Sequence, residues 1–382
     1  MKGSASGVIA RWGVAASIVF AVTAVRAPGD VTTERSSSIL IFPKVQFDSS
    51  GVQTGAPVDT IIQISNTSNS MVFAHCFYVN AVPEDPSQPP GVLNPPQCQE
   101  IDFSIWLTKQ QPTHWVVSSG RRLDQTDKSC TKDFKNCSGA GFDPGLIPPV
   151  SDPFAGELKC IEVDSSGAPI SGNHLKGEAT LVTPFGDASK YNAIGVLGIN
   201  SDQGSNNGPN TLCLGGVKSS QCPSGAEYNG CPETVILNHF AENATDPVVE
   251  ELGNGPSRVA TQLTLVPCRE DFENQIPAQV TVQFQITNEF EELFSTSTTV
   301  SCWSNLTLDA IARVFDVGFL GTRFAQTRMT AATDDQSGFV GVAEEFHRHG
   351  ASTAPLVSRA ALNLHGEGVR PKNDVIILPE AP

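Results

Sequence analysis

The chain has 382 residues and carries 40 Asp and Glu against 24 Lys and Arg, a formal net charge of −16. A nucleic-acid partner needs a basic face that displaces phosphate counterions, so this balance excludes one. Hydrophobic residues at 39%, with 33 Gly and 27 Pro spread along the chain as turns, describe ordered structure rather than a low-complexity segment.

The opening MKGSASGVIARWGVAASIVFAVTAVRAPGD sets Lys2 and Arg11 before an apolar run over 12–25 and small residues ahead of Pro28. That is the three-part pattern of an export signal and predicts a leader over 1–27. The apolar run is about 14 residues where a membrane span needs about 20, so the remaining protein is expected not to span a membrane. It is expected outside the cytoplasm, secreted, extracellular or periplasmic. Ten cysteines fit that compartment: Cys76, Cys98, Cys130, Cys137, Cys160, Cys213, Cys222, Cys231, Cys268 and Cys302. An even count in an exported chain predicts disulfides, and no paired C-x2-C spacing points to zinc. Cys130 with Cys137, and Cys213, Cys222 and Cys231, stand in Gly/Asn/Ser-rich loops where a local bridge closes a short segment. Cys76 lies in an apolar run and reads equally as a buried free thiol.

Strands punctuated by turns then follow. The first series is 39–45, 60–65, 72–79, 103–108, 114–117, 157–163, 175–182 and 192–199. In the first of the clearest cases Phe103, Ile105 and Leu107 alternate with Asp102, Ser104 and Thr108, a strand buried on one face. The second series is 234–237, 261–266, 280–287, 294–300, 321–330, 339–346, 358–364 and 375–378. There Val280, Val282, Phe284 and Ile286 alternate with Thr281, Gln283 and Gln285. One helix is expected, over 306–314.

The two series read as two copies of one plan. The segment from Ile39 is answered by that from Val235, Asp59 onward by Ala260 onward, and Phe77 to Asn80 by Gln285 to Asn288. Leu175 to Ala179 matches Phe339 to Ala343, and the segment from Ser189 matches that from Ser358, with order preserved. The expected fold class is all-β: two tandem antiparallel β-sandwich domains of immunoglobulin-like or jelly-roll type. They would occupy 36–200 and 232–382, with a Gly/Asn/Cys-rich linker or loop over 201–231. Long Pro/Gly/Asp-rich insertions at 81–100 and 118–153 are where binding is expected.

Phrases such as VDTIIQISNTSN, FSIWLTKQQPTHWVVSSG, GELKCIEVD, HLKGEATL and ITNEFEELFSTS resemble those of secreted, β-rich proteins of environmental bacteria that have no assigned function. The resemblance covers most of the chain after the leader. It implies export and a sandwich fold, and it transfers no functional residue.

Catalytic signatures are few. G-x-S-x-G, H-E-x-x-H and a phosphate-cradling Gly loop are all absent. Glu345, His347 and His349 alternate on one predicted strand, so three ligands of a type suited to zinc or copper would share a face. Asp202 and Asn206, in a Gly-rich loop, offer hard oxygens for calcium, without the Gly and Glu spacing of an EF-hand. Glu289, Glu291 and Glu292 form the densest acidic group. His75 and His114 read as structural residues. Four N-x-S/T triplets, at Asn66, Asn136, Asn243 and Asn305, predict surface loops. The leading expectation is a non-enzymatic secreted or cell-surface structural or binding protein, with a polysaccharide, a surface protein or its own copies as partner. An extracellular hydrolase acting on a polymer through carboxylates or a metal is the alternative, and a periplasmic assembly factor a third.

Overall fold

The computed structural model describes residues 31–88, 94–121, 145–184, 186–199, 207–208, 210–247, 257–333, 336–349 and 356–379, with the side chains of His349, Leu356 and Val357 also outside the description. The leader, Cys130, Cys137, Asn136, Asp202 and Asn206 lie outside the described residues. The protein is all-β, with 55% of residues in strands against 4% in helices.

The first half contributes β1 (Ile39–Phe47), β2 (Asp59–Asn66), β3 (Val72–Asn80), β4 (Gln99–Leu107), β5 (Pro112–Val116), β6 (Phe154–Val163), β7 (Leu175–Val182), β8 (Ala188–Asn192) and β9 (Ile194–Val196). After β10 (Thr211–Leu214) come β11 (Thr234–Phe240), β12 (Ser257–Pro267), β13 (Glu270–Asp271), β14 (Gln279–Asn288), β15 (Leu293–Ser301) and β16 (Ser304–Thr307). The chain ends with β17 (Phe324–Ala331), β18 (Phe339–His349), β19 (Leu356–Asn363), β20 (His365–Glu367) and β21 (Asp374–Ile377). Among the described residues these make five small sheets, antiparallel except for one short parallel pair between β13 and β21.

Four of the sheets come as two pairs with the same strand order. The order β4-β3-β6-β1-β9 is matched by β15-β14-β17-β11-β20, and β5-β2-β7-β8 by β16-β12-β18-β19. In chain order each strand of the first pair has a counterpart in the second. Even the turn residues correspond: Asn80 ends β3 and accepts the Val82 N–H at 3.0 Å, and Asn288 ends β14 and accepts the Phe290 N–H at 2.9 Å. An Asn side chain that mimics a turn closes the strand in both copies.

Two sandwich domains joined by a linker are nonetheless not what the structure supports. The fifth sheet, β10-β21-β13, takes β10 from the stretch expected to link the halves and pairs it with the last strand of the chain. An apolar cluster then joins Ile39, Ile41, Phe77 and Ile161 of the first half to Val266, Phe272, Val340 and Ile376 of the second. The first five-stranded sheet is therefore covered on both faces, by this cluster and by the one holding Leu40, Phe42, Ile62, Ile64 and Tyr78. That is why nearly every residue of β1 and β6 is buried, where a sheet with one wet face would alternate. The half-buried strands do alternate: Ile62 and Ile64 of β2, and Val280, Val282, Phe284 and Ile286 of β14, point inward.

Four disulfides are described. Cys76–Cys160 staples directly opposed residues of β3 and β6, so Cys76 is not a free thiol. Cys213–Cys222 closes a local loop, Cys231–Cys268 ties the entry of β11 to the exit of β12, and Cys98–Cys302 joins the two halves. The expected helix over 306–314 is a broken run instead: the end of β16, α1 (Leu308–Ile311), a 3-10 turn at Arg313–Phe315 and α2 (Val317–Leu320). Ala312 and Asp316 are extended and interrupt it, and the Asp316 carboxylate accepts the Gly318 N–H at 2.8 Å to start α2.

Candidate functional site

β18 carries Glu345 and His347, two residues apart and so on one face of the strand. The His347 Nδ1 lies 2.5 Å from the Asp246 Oδ2, and its Nε2 lies 3.9 Å from the Glu345 Oε2. Asp246, nearly inaccessible in the segment before β12, gave no signal in the sequence because 101 residues separate it from His347. A carboxylate only accepts, so Nδ1 carries the proton toward Asp246 and Nε2 is left facing Glu345. Burial pushes the Glu345 carboxyl up, His347 opposes this and Asp246 adds to it. Asp246 and Glu345 thus address different ring nitrogens and do not converge on one point. A zinc or copper ion here would use Nε2 and Glu345, with Asp246 orienting the ring from behind. The third expected ligand, His349, has its side chain outside the described residues, as do both calcium candidates. Among the described residues one set of three donors draws close, Cys231, Cys268 and Asp374, and its two sulfurs are already bonded to each other.

The other candidates separate. Glu289, Glu291 and Glu292 are exposed in the β14–β15 turn, where Glu292 accepts from the Asn288 side chain at 2.9 Å. His75 pairs with Asp102 at 2.9 Å, as a structural residue would, whereas His114 is exposed. Asn66 corrects the surface-loop reading of its triplet: it is buried in β2 and its amide donates to the Ser70 and Thr108 carbonyls at 2.7 and 2.9 Å.

Among the described residues, two shallow hollows measure about 220 and 280 Å3. The first lies where Glu34 and Ile194 meet Pro232, Val235 and His365, and the second on the outer face of β5-β2-β7, among Gln63, Ser65, His114, Lys176 and Glu178. Each is lined by a single carboxylate, whereas glycoside hydrolysis needs two facing each other.

One end of the second five-stranded sheet is different in character. Phe290 of the β14–β15 turn and Leu293 at the start of β15 are 72% and 64% exposed, and Phe319 of α2 and Phe324 of β17 are 54% and 39% exposed. The Asn288 amide donates to the Leu320 carbonyl at 2.7 Å, which holds that turn beside α2. Phe324 meets Phe240 edge to face at 5.6 Å, and the Arg313 guanidinium covers Phe319 at 5.5 Å.

No protein-family model matches the chain, and no curated protein does. Among solved structures, a chain of the Cowpea mosaic virus top component, its naturally occurring empty particles, aligns over 94% of this chain and 98% of its own at 9% identity and a TM-score of 0.15. A score that low carries no information on fold or function.

The polar groups least visible in the sequence are buried ones that join the halves. Lys159 of β6 lies 2.7 Å from both the Glu157 Oε1 and the Glu270 Oε2, all three buried. Lys44 of β1 lies 2.6 Å from the Glu344 Oε2 of β18, and Arg359 of β19 holds the other oxygen at 2.5 Å. Each partner stands more than 100 residues away except Glu157 and Arg359, so only the fold brings the charges together.

Proposed function

We propose that the protein is a secreted or cell-surface structural or binding protein that works through its exposed surface rather than through a catalytic cleft. The observation that carries this reading is the apolar end formed by Phe290, Leu293, Phe319 and Phe324. Large apolar side chains grouped at one end of a chain this acidic mark a contact surface. Four disulfides suit an oxidising, extracellular or periplasmic compartment, and among the described residues no helix is long and apolar enough to cross a membrane. The partner that fits the apolar end is a protein surface, including a second copy of this chain. Polysaccharide binding would fall instead on the polar hollow around Gln63, His114 and Glu178.

The test is sedimentation and cross-linking of the full chain beside a Phe290→Ser, Phe319→Ser double variant. Self-association, or capture of a surface protein from the native host, should weaken in the double variant while the thermal unfolding midpoint stays put. Equal association by both proteins would remove the apolar end from the reading. Hydrolysis of a polymer by purified protein would overturn the reading itself.

A further inference from the structure

β1 loses register with β6 between Phe42 and Val45, and Lys44 stands within that irregularity. Its backbone is clamped there: the Lys44 N–H donates to the Tyr191 hydroxyl at 3.1 Å, that hydroxyl donates to the Lys44 carbonyl at 2.7 Å, and Trp303 holds the neighbouring Pro43 carbonyl at 2.7 Å. The amine therefore arrives at a fixed place, between Gln262 of β12 and Glu344 of β18. These two are directly opposed on antiparallel strands. Lys44 Nζ lies 2.5 Å from the Gln262 Oε1 and 2.6 Å from the Glu344 Oε2, and the side chains of Lys44 and Glu344 are almost wholly removed from water.

Charge balance decides the state of the amine. The Glu344 carboxylate already has Arg359 on its other oxygen, from both Nη2 and Nε, and accepts the Ser189 hydroxyl as well. Arg359 stays protonated, so it neutralises Glu344 alone, and an ammonium at Lys44 would leave one uncompensated positive charge in the interior. Burial accordingly draws Lys44 below the usual lysine range, against the charge of Glu344. The site thus holds a lysine nitrogen whose deprotonation burial favours, a carboxamide in contact with it and a carboxylate beside both.

We propose that Lys44 and Gln262 become joined by an isopeptide bond. The Lys44 nitrogen adds to the Gln262 side-chain carbonyl carbon, the Glu344 Oε2 takes a proton from the attacking nitrogen and returns it to the departing amide nitrogen, and ammonia leaves as the new C–N bond is kept. One C–N bond forms, one breaks, and nothing is oxidised or reduced. Fixed geometry replaces the encounter of two reactants and so removes part of the barrier to such an exchange. The second buried lysine is an internal control. Lys159 meets Glu157, Glu270 and the Pro267 carbonyl, with no carboxamide among the described residues to release ammonia, and stays unlinked. The bond spans 218 residues and staples the halves in a way no reductant opens.

The experiment is mass spectrometry of the exported full chain after complete reduction and alkylation. The intact mass is expected to fall below that of the linear sequence by one ammonia, and a digest should yield a branched peptide holding Lys44 and Gln262. Gln262→Leu and Lys44→Met should each restore the full mass. Linear peptides covering both residues in the wild-type digest would overturn the proposal, as would an ammonia loss mapped to another residue. The wild-type digest decides alone even where a variant does not fold.

Discussion

Trp303 donates its indole N–H to the Pro43 carbonyl at 2.7 Å, across 260 residues of chain. The residue before it, Cys302, is bonded to Cys98, so one short segment ties the second half to the first twice. The disulfide closes a loop with a sequence separation of 204, and a cross-link that long removes much of the freedom of the unfolded chain. Replacing both cysteines by Ser should lower stability by about 3–5 kcal/mol, read as a fall in the urea midpoint. A loss below about 1 kcal/mol would mean that the unfolded chain keeps the halves together without the bond.

Lys159 stands between two buried carboxyls, and the three groups do not contribute equally. With one cation for two acids, one carboxyl is driven toward its neutral form: burial first, and Glu270 as well, push Glu157 up to about 7, against the pull of Lys159. Lys159→Met would leave both acids without a cation and should cost about 3–5 kcal/mol. Glu270→Gln leaves a one-to-one pair and keeps an acceptor, so its cost should stay within about 1 kcal/mol. Urea unfolding of the two variants at neutral pH gives the comparison. If Lys159→Met proved the milder change, the cluster would not be held by its charge.

How this cluster came to be hidden shows where the sequence is legible. Almost every predicted strand exists, because alternation of apolar and polar residues reports a half-buried strand directly, as in Val280 to Ile286. Phe154–Val163 is buried throughout, although Glu157 and Lys159 share one of its faces as two solvated residues would. They are buried because a second apolar layer, built from both halves, covers that face, and no local pattern announces a partner more than 100 residues away. The internal repeat was visible as ordered matches and reappears as matching strand orders. The closure of the presumed linker into a sheet was not, since Thr211–Leu214 is too short to stand out among Gly and Asn. At the metal strand the shared face of Glu345 and His347 could be read from spacing, whereas Asp246, which claims one ring nitrogen, could not.

Glu242 should make the protein less stable as pH rises. Burial pushes its carboxyl up to about 8, the Thr261 N–H at 2.7 Å opposes this, and Asp309 and Asp316 add to it. The folded state therefore holds a proton that the unfolded state gives up near the ordinary carboxyl value. Its contribution is fully present below about pH 4.5 and is lost as pH rises through about 8. Glu242→Gln keeps the acceptor for Thr261 and removes the titration, so the fall in stability between those values should flatten and the variant should gain about 1–2 kcal/mol at pH 8. Urea titrations across that range read the slope, and an unchanged slope would place the titration elsewhere.

His239 works in the opposite direction. Its ring is fully buried between β11 and β17, with Nδ1 2.9 Å from the Phe240 carbonyl and Nε2 2.8 Å from the Thr327 hydroxyl. The carbonyl can only accept, so the proton sits on Nδ1 and Nε2 receives the Thr327 O–H. Burial holds this neutral form down to about pH 4, against the small upward pull of the Phe240 carbonyl. The unfolded chain binds its proton near 6.5, so this stability is present above that value and is lost as pH falls from 6.5 through about 4. Thr327→Val preserves shape but leaves Nε2 buried without a donor, and should cost about 1–3 kcal/mol at neutral pH. His239→Leu removes the titrating group, so the acid side of the stability curve between 6.5 and 4 should flatten. A Thr327→Val variant as stable as wild type would show that the ring does not depend on that hydroxyl.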